Sequence, residues 1–207
     1  MFDNQKKKIR EKLENYDRFQ FQKKAASLEK YLVRECKLVD VGCGDGRFAK
    51  FLQSHFSCQV LGIDTINYLS TAIPFQAYDG GIIPLEDKSF DVAICLAVIH
   101  HTNDPELILK ELHRIAKKVI LIEDYCSNTL GKVGLHLNDY FTNVFQNLYK
   151  CWSGYRKKSV FQMQWQLKFK TEQELRAIFD RYEMRLIHFH RTKKSWKGMS
   201  HGVYVLC

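Results

Sequence analysis

The sequence predicts an α/β domain built on a doubly wound, mostly parallel sheet, and three observations predict it. Short apolar runs alternate with helical patterns between residues 37 and 123, as strands buried on both faces and their crossover helices do. A glycine-rich turn, Gly42-Cys43-Gly44-Asp45-Gly46, stands directly between the first apolar run and the first helical pattern. Finally, 207 residues that are 45% hydrophobic and 13% aromatic can bury one sizeable core, whereas two full domains with a linker would need a longer chain.

Each element follows from its residues. Residues 5–33 carry Ile9, Leu13, Tyr16, Phe19, Leu28, Tyr31 and Leu32 at helical spacing among Lys, Glu and Gln, which predicts an amphipathic helix with a break near residues 16–21. Residues 37–41 read as the first strand, 46–54 as a helix, 59–63 as the second strand, 74–78 as the third and 91–96 as the fourth. Asp104 is a candidate N-cap with Pro105 at the first helical position, so residues 104–116 read as helix and 119–123 as the fifth strand.

Beyond the fifth strand the pattern changes. Leu137, Phe141, Val144, Phe145, Leu148 and Trp152 make a helical stripe, and residues 160–170 alternate strictly between apolar and polar, predicting a half-buried extended segment. Thr171 with Glu174 forms a capping-box pattern that starts a helix through Leu175, Ile178 and Phe179. Residues 185–190 and 203–206 then read as the last two strands.

Composition bounds the function classes. The longest apolar run, residues 92–99, is far too short for a bilayer, and the charged start lacks the apolar stretch of a secretory signal, so a cytoplasmic protein without a membrane span is expected. Seven cysteines without a C-x-x-C pair signal neither a disulfide framework nor a zinc knuckle; Cys36, Cys58 and Cys95 read as small buried hydrophobes. No metal-ligand spacing emerges, and no metal is expected. The net charge of +9 lies entirely in residues 150–207, with 13 Lys and Arg against 4 Asp and Glu. Such a face is commonly just solvated, and it could also attract phosphate, a carboxylate or RNA.

The chemistry begins at the glycine turn, where main-chain N–H groups and a helix N-terminus should face whatever lies over it. A dinucleotide fingerprint, G-x-G-x-x-G, would require glycine at the position of Arg47, so the observed G-x-G-x-G points away from a nicotinamide cofactor. Twenty residues beyond Gly44, Asp64 ends the second strand, where a carboxylate can accept both hydroxyls of a ribose. Asp79 closes the third strand at the same edge and could accept from an exocyclic amine; its plainer reading is a turn aspartate before Gly80 and Gly81.

The motifs VDVGCGDG, GIDT, YDGGIIPLEDKSFDVAICLAVIHH and NDPELILKELHRI resemble, in order, those of class I S-adenosylmethionine-dependent methyltransferases, the ubiquinone and menaquinone biosynthesis group above all, over residues 38–124. The resemblance implies a single doubly wound, Rossmann-like methyltransferase domain, its seven-stranded, mostly parallel sheet ending in an antiparallel strand. It implies residues 1–35 as an N-terminal helical lid, 36–126 as the cofactor-binding core, 127–170 as a helical and aromatic substrate cap, and 171–207 as the closing helix and strands. The cofactor would be S-adenosylmethionine, its product S-adenosylhomocysteine. Gly42 and Gly44, with Asp40 and Cys43 in the same motif, would cradle its methionine part, Asp64 with Thr65 its ribose, Asp79 with Gly80 its adenine, and Leu96 would touch it through the backbone. Two departures stand out: only residues 65–74 join the second and third strands, so the amino-terminal helix is the candidate for the missing adenine wall, and IAKKVILIED replaces the usual Pro-Gly-Gly turn.

Methyl transfer needs a base only where the acceptor must lose a proton. His101, at the carboxyl end of the fourth strand, is the candidate catalytic residue and, with Tyr125 and His136, a candidate acceptor contact. His100 and His101 can equally be packing residues. Glu123 and Asp124 end the fifth strand on the same edge, while His188 and His190 read as structural. The aromatic stretch of residues 140–169 favours a small, partly apolar methyl acceptor. RNA is the alternative, suggested by the basic last quarter and by AVIHH, which also resembles tRNA wobble-uridine methyltransferases; a catalytically silent cofactor-binding subunit is the third.

Overall fold

A computed structural model describes residues 2–126, 141, 144, 152, 169–194 and 199–207. Helix α1 spans Phe2–Leu28, followed by β1 (Lys37–Val41), α2 (Arg47–Phe56), β2 (Gln59–Asp64), β3 (Phe75–Ala77) and β4 (Phe90–Leu96). A 3-10 turn, Ile99–His101, leads to α3 (Pro105–Ile115) and β5 (Ala116–Cys126). The chain ends with Glu172–Arg181, here α4, and the strands β6 (Leu186–Lys194) and β7 (Met199–Leu206).

The seven strands form one sheet in the order β3-β2-β1-β4-β5-β7-β6. The pairs among β1 to β5 are parallel, and β7 runs antiparallel to both β5 and β6, as expected. The order reverses between β1 and β4, and a crevice at such a switch point is where α/β sheets bind ligands. The parallel strands bury both faces. On one, Val119 and Leu121 of β5 pack with Ile108, Leu109 and Leu112 of α3 and with Leu175, Ile178 and Phe179 of α4. On the other, Ile120 and Ile122 pack with Leu52 and Phe56 of α2 and with Ala25 and Leu28 of α1.

The predicted start signals hold in detail. The Asp104 side chain accepts from the amides of Glu106 and Leu107 at 3.1 and 3.0 Å, with Pro105 behind it. Thr171 and Glu174 form the reciprocal capping box. Three expectations shift. Helix α1 runs through Tyr16–Phe21 without a break, since no glycine or proline interrupts it, and ends at Leu28. Strand β3 keeps three residues. Strands β5, β6 and β7 are longer than their apolar runs, because hairpin pairing carries β5 and β7 on through Cys126↔Met199. The stripe and alternation of residues 137–168 lie outside the described residues except for Phe141, Val144 and Trp152, each of which is helical.

Arg114 fastens the segment after Gly81 to α3. Its guanidinium donates to Glu111 (3.0 and 2.7 Å), Asp87 (2.7 Å) and the carbonyls of Ile83 and Leu85 (2.8 Å each), and Glu111 in turn accepts from the Ile83 amide at 2.9 Å. Arg114→Met would strand a Glu111 side chain that is 6% exposed. Breaking a buried pair costs about 3 kcal/mol or more, so the melting temperature should fall by about 6–12 °C; a thermal melt checks it.

Candidate functional site

The glycine turn is built more tightly than its sequence suggests. Gly42 and Cys43 both donate to the Ile63 carbonyl, at 2.8 and 3.1 Å, and Gly44 donates to Asp64 Oδ2 at 2.9 Å. Three amides expected to face a ligand are therefore spent on β2 and its terminal carboxylate. What the turn offers is room: Gly42, Gly44 and Gly46 all have positive φ, and a β-carbon on Gly44 would meet no atom within 4 Å. At Gly42 such an atom would lie 2.4 Å from Val98 Cγ2, so the turn packs directly against the segment that leads into His100 and His101.

Asp64 sits at the centre. Besides Gly44, it accepts from the Thr65 amide through Oδ1 at 2.7 Å, and a carboxylate with one bond on each oxygen keeps lone pairs for two more donors. Asp40, one strand over and opposite Gly62 and Ile94, is 4% exposed. Burial, then the neighbouring Asp64, push its carboxyl up to about 7, with Lys24 of α1 pulling the other way. Burial beside these acids also raises the Cys43 thiol, which fits a packing role under the turn.

Asp40 carries a pH prediction. A carboxyl that titrates near 7 when folded and near 3.8 when unfolded contributes stability that is fully present below about pH 4 and lost as pH rises through 7. Thermal melts between pH 4 and 8 should show that loss, and Asp40→Asn should flatten it.

Asp79, Gly80, Leu96 and His101 lie at the same edge. Asp79 forms the turn predicted as its plainer reading, accepting from Gly81 at 2.8 Å. Gly80 has φ +90°, and its β-carbon would lie 3.6 Å from Thr65 Cγ2, which joins the ends of β2 and β3. Leu96 ends β4; Ala97 after it has φ +56° and donates to the Ile122 carbonyl at 2.7 Å. His101 follows in the 3-10 turn. Burial first, then His100, lower it to about 4, so the ring is neutral near pH 7 and holds a proton weakly. Tyr125 lies on β5 opposite Ser200, and His136 lies outside the described residues.

Sequence reasoning missed the partner of His100: the ring contacts Glu123. The available signal was a carboxylate at 123 in phase with Val119 and Leu121, on the buried face. Helix α1 packs on α2, through Phe21 against Phe48 and Phe51 (5.3 and 5.9 Å) and Asp17 against Arg47 at 2.9 Å. A cavity of about 500 Å³ beside Lys37, Gln59 and Phe90 opens at the opposite, amino edge of the sheet and gathers no comparable chemistry. Among the described residues, no cluster of His, Cys, Asp or Glu could hold a metal, and no helix is long and apolar enough to cross a membrane.

A seven-stranded sheet of this order, with a glycine turn at its switch point and an acidic residue ending β2, defines a Rossmann-like nucleotide-binding fold. Residues 39–119 match the family model of a methyltransferase domain. The chain is 30% identical over 129 residues to the chloroplastic tocopherol O-methyltransferase of Arabidopsis thaliana, covering 55% of this chain and 37% of that protein. It is 29% identical over 86 residues to the tRNA U34 carboxymethyltransferase of Nautilia profundicola, covering 36% and 29%. The chain thus spans about a third of the length of these relatives. Geranyl diphosphate C-methyltransferase from Streptomyces coelicolor, solved with S-adenosyl-L-homocysteine, superposes with a TM-score of 0.66 at 9% identity, over 97% of this chain and 82% of that one. Residues 39–119 are thus similar to a methyltransferase domain, and the superposition shows a shared fold; the group such a domain would take is S-adenosylmethionine. The open space above Gly44, beside a carboxylate with acceptor capacity to spare, fits that group.

Proposed function

We propose that this protein methylates a small, partly apolar acceptor at the carboxyl edge of β1, β2 and β4. The observation that carries the reading is Asp64, whose carboxylate ends β2 while bound to the Gly44 amide, next to the one glycine of the turn with open space above it. Bound S-adenosylmethionine supplies a methyl group on a sulfonium that is its own leaving group. Asp64, with Thr65 beside it, holds the ribose hydroxyls; Gly42, Cys43 and Gly44 let the methionine part lie close to the main chain; and Asp40 offers a carboxylate to its positive charge. Asp79 and Gly80 border the adenine, and Leu96 closes the floor.

On the acceptor side, His101 accepts a hydrogen bond from the acceptor and orients it. Its depressed pKa favours orientation over proton abstraction, because a base that titrates near 4 takes a proton poorly at neutral pH. Tyr125 and His136 are the further acceptor contacts of this reading, His136 lying outside the described residues. Residues 1–35 serve as lid, 36–126 as cofactor core, 127–170 as acceptor cap and 171–207 as closing elements of a cytoplasmic protein. The aromatic residues between 140 and 169 and the tocopherol-directed relative support the small acceptor.

The test is mass spectrometry of the purified protein, first for co-purified ligand and then after incubation with methyl-deuterated S-adenosylmethionine and a panel of phenols, amines and tRNA. Demethylated cofactor and a labelled small product are expected. Label in tRNA, with binding that weakens steeply with salt, would move the activity to RNA. Donor binding without any turnover would leave a silent cofactor-binding subunit, and failure to bind the donor would overturn the reading altogether.

A further inference from the structure

Two buried polar side chains, His100 and Glu123, are each 2% exposed, and they meet. Glu123 Oε1 contacts His100 Nδ1, while Oε2 accepts from the Ile99 amide at 3.0 Å. One carboxylate therefore ties the buried end of β5 to the 3-10 turn that follows β4. The His100 ring also stacks on Phe169, with centroids 4.3 Å apart and planes 18° apart, and lies 4.0 Å from the His101 ring. Phe169 precedes α4, so the imidazole is held from β5, from its own turn and from the carboxyl-terminal segment. Burying a carboxylate costs several kcal/mol, and apolar packing would fill the same space at no such cost; here both of its oxygens are bound to one turn.

We infer that Glu123 is a positioning residue for methyl transfer: it locks His100 in the Nδ1–H tautomer and so sets the turn that carries His101 to the carboxyl edge of the sheet. The inference rests on the reading of that edge as the methyl-transfer centre. A carboxylate only accepts, so Nδ1 carries the hydrogen, and a neutral ring then keeps its lone pair on Nε2. The Ile99 amide on the second oxygen fixes the backbone beside it. Val98, one residue earlier, packs against Gly42, so the turn is held between the carboxylate and the glycine turn. Glutamine cannot do the same work, because its single acceptor oxygen faces two donors. With the Ile99 amide kept, its NH2 meets Nδ1 and the tautomer inverts.

The experiment combines ¹⁵N-histidine NMR of the full chain, calorimetry with S-adenosylhomocysteine and steady-state methyl transfer, on wild type and Glu123→Gln. Wild-type His100 should be the Nδ1–H form and the variant the Nε2–H form. S-adenosylhomocysteine affinity should hold within about twofold, while kcat falls about tenfold or more through misplacement of the turn, with the KM for the donor unmoved. His100→Asn, whose amide can donate to Glu123, should recover part of the activity lost in His100→Leu. An Nε2–H form in wild type overturns the inference even if the Gln variant fails to fold. So does an unchanged kcat in Glu123→Gln, or a His100→Asn no better than His100→Leu. Absence of any methyl transfer by wild type would instead sink the reading of the site, a separate result from the tautomer.

Discussion

Asp64→Ala is expected to weaken S-adenosylhomocysteine binding by about 100-fold or more in calorimetry. Hydrogen bonds to a charged group contribute about 1.5–3 kcal/mol each, and the proposed site gives the ribose two of them, so their joint loss is about 3 kcal/mol, or two decades of affinity. The substitution also leaves the Gly44 and Thr65 amides, now bonded at 2.9 and 2.7 Å, without their acceptor. Asp64→Asn separates the effects, since its one carbonyl oxygen can keep a single amide but its NH2 cannot accept from a hydroxyl. Its affinity should fall nearly as far as that of the alanine variant while its melting temperature stays closer to wild type. An alanine variant that binds within threefold of wild type would remove Asp64 from the site.

Gly42→Ala is expected to cost about 3 kcal/mol of stability, the sum of roughly 1–2 for a side chain in the left-handed region and about 1–3 for overpacking. The new methyl would lie 2.4 and 2.8 Å from the Val98 γ-carbons and 3.1 Å from its β-carbon. Val98 must move, and Ile99 to His101 follow it. A thermal melt should therefore show a fall of about 6–12 °C, and Val98→Ala in the same chain should restore part of it, because the γ-carbons go while the strained φ of +79° remains. Gly44→Ala makes the contrast. Its φ is +56° but its β-carbon would meet nothing, so stability should fall by only about 1 kcal/mol while cofactor affinity drops sharply. If Gly44→Ala bound S-adenosylhomocysteine as wild type does, the open space above that residue would not be where the donor lies.

The contrast between these two glycines marks where reading a chain alone stops. Spacing identifies the turn and argues against a nicotinamide fingerprint, yet Gly42 and Gly44 look equivalent in it. Their difference depends on Val98, 56 residues later, which reaches one and not the other. In the same way Asp40 and Asp64 are two acids near strand ends in the sequence. Only in the folded protein does one prove to be 4% exposed and pushed to about 7, while the other spends its charge on two amides.

Local chemistry alone dictates the strand and helix order, the Asp104 and Thr171 caps, the parallel core, and the convergence of the glycine turn, Asp64 and Asp79 on one sheet edge. These follow from periodicity and from backbone donors that must be satisfied within a few residues. The tertiary structure decided the direction of the turn's amides, the pairing of His100 with Glu123, and the packing of α1 against α2. Those depend on contacts between residues 20 to 30 positions apart, whose geometry is set by strand register and helix packing rather than by any local pattern.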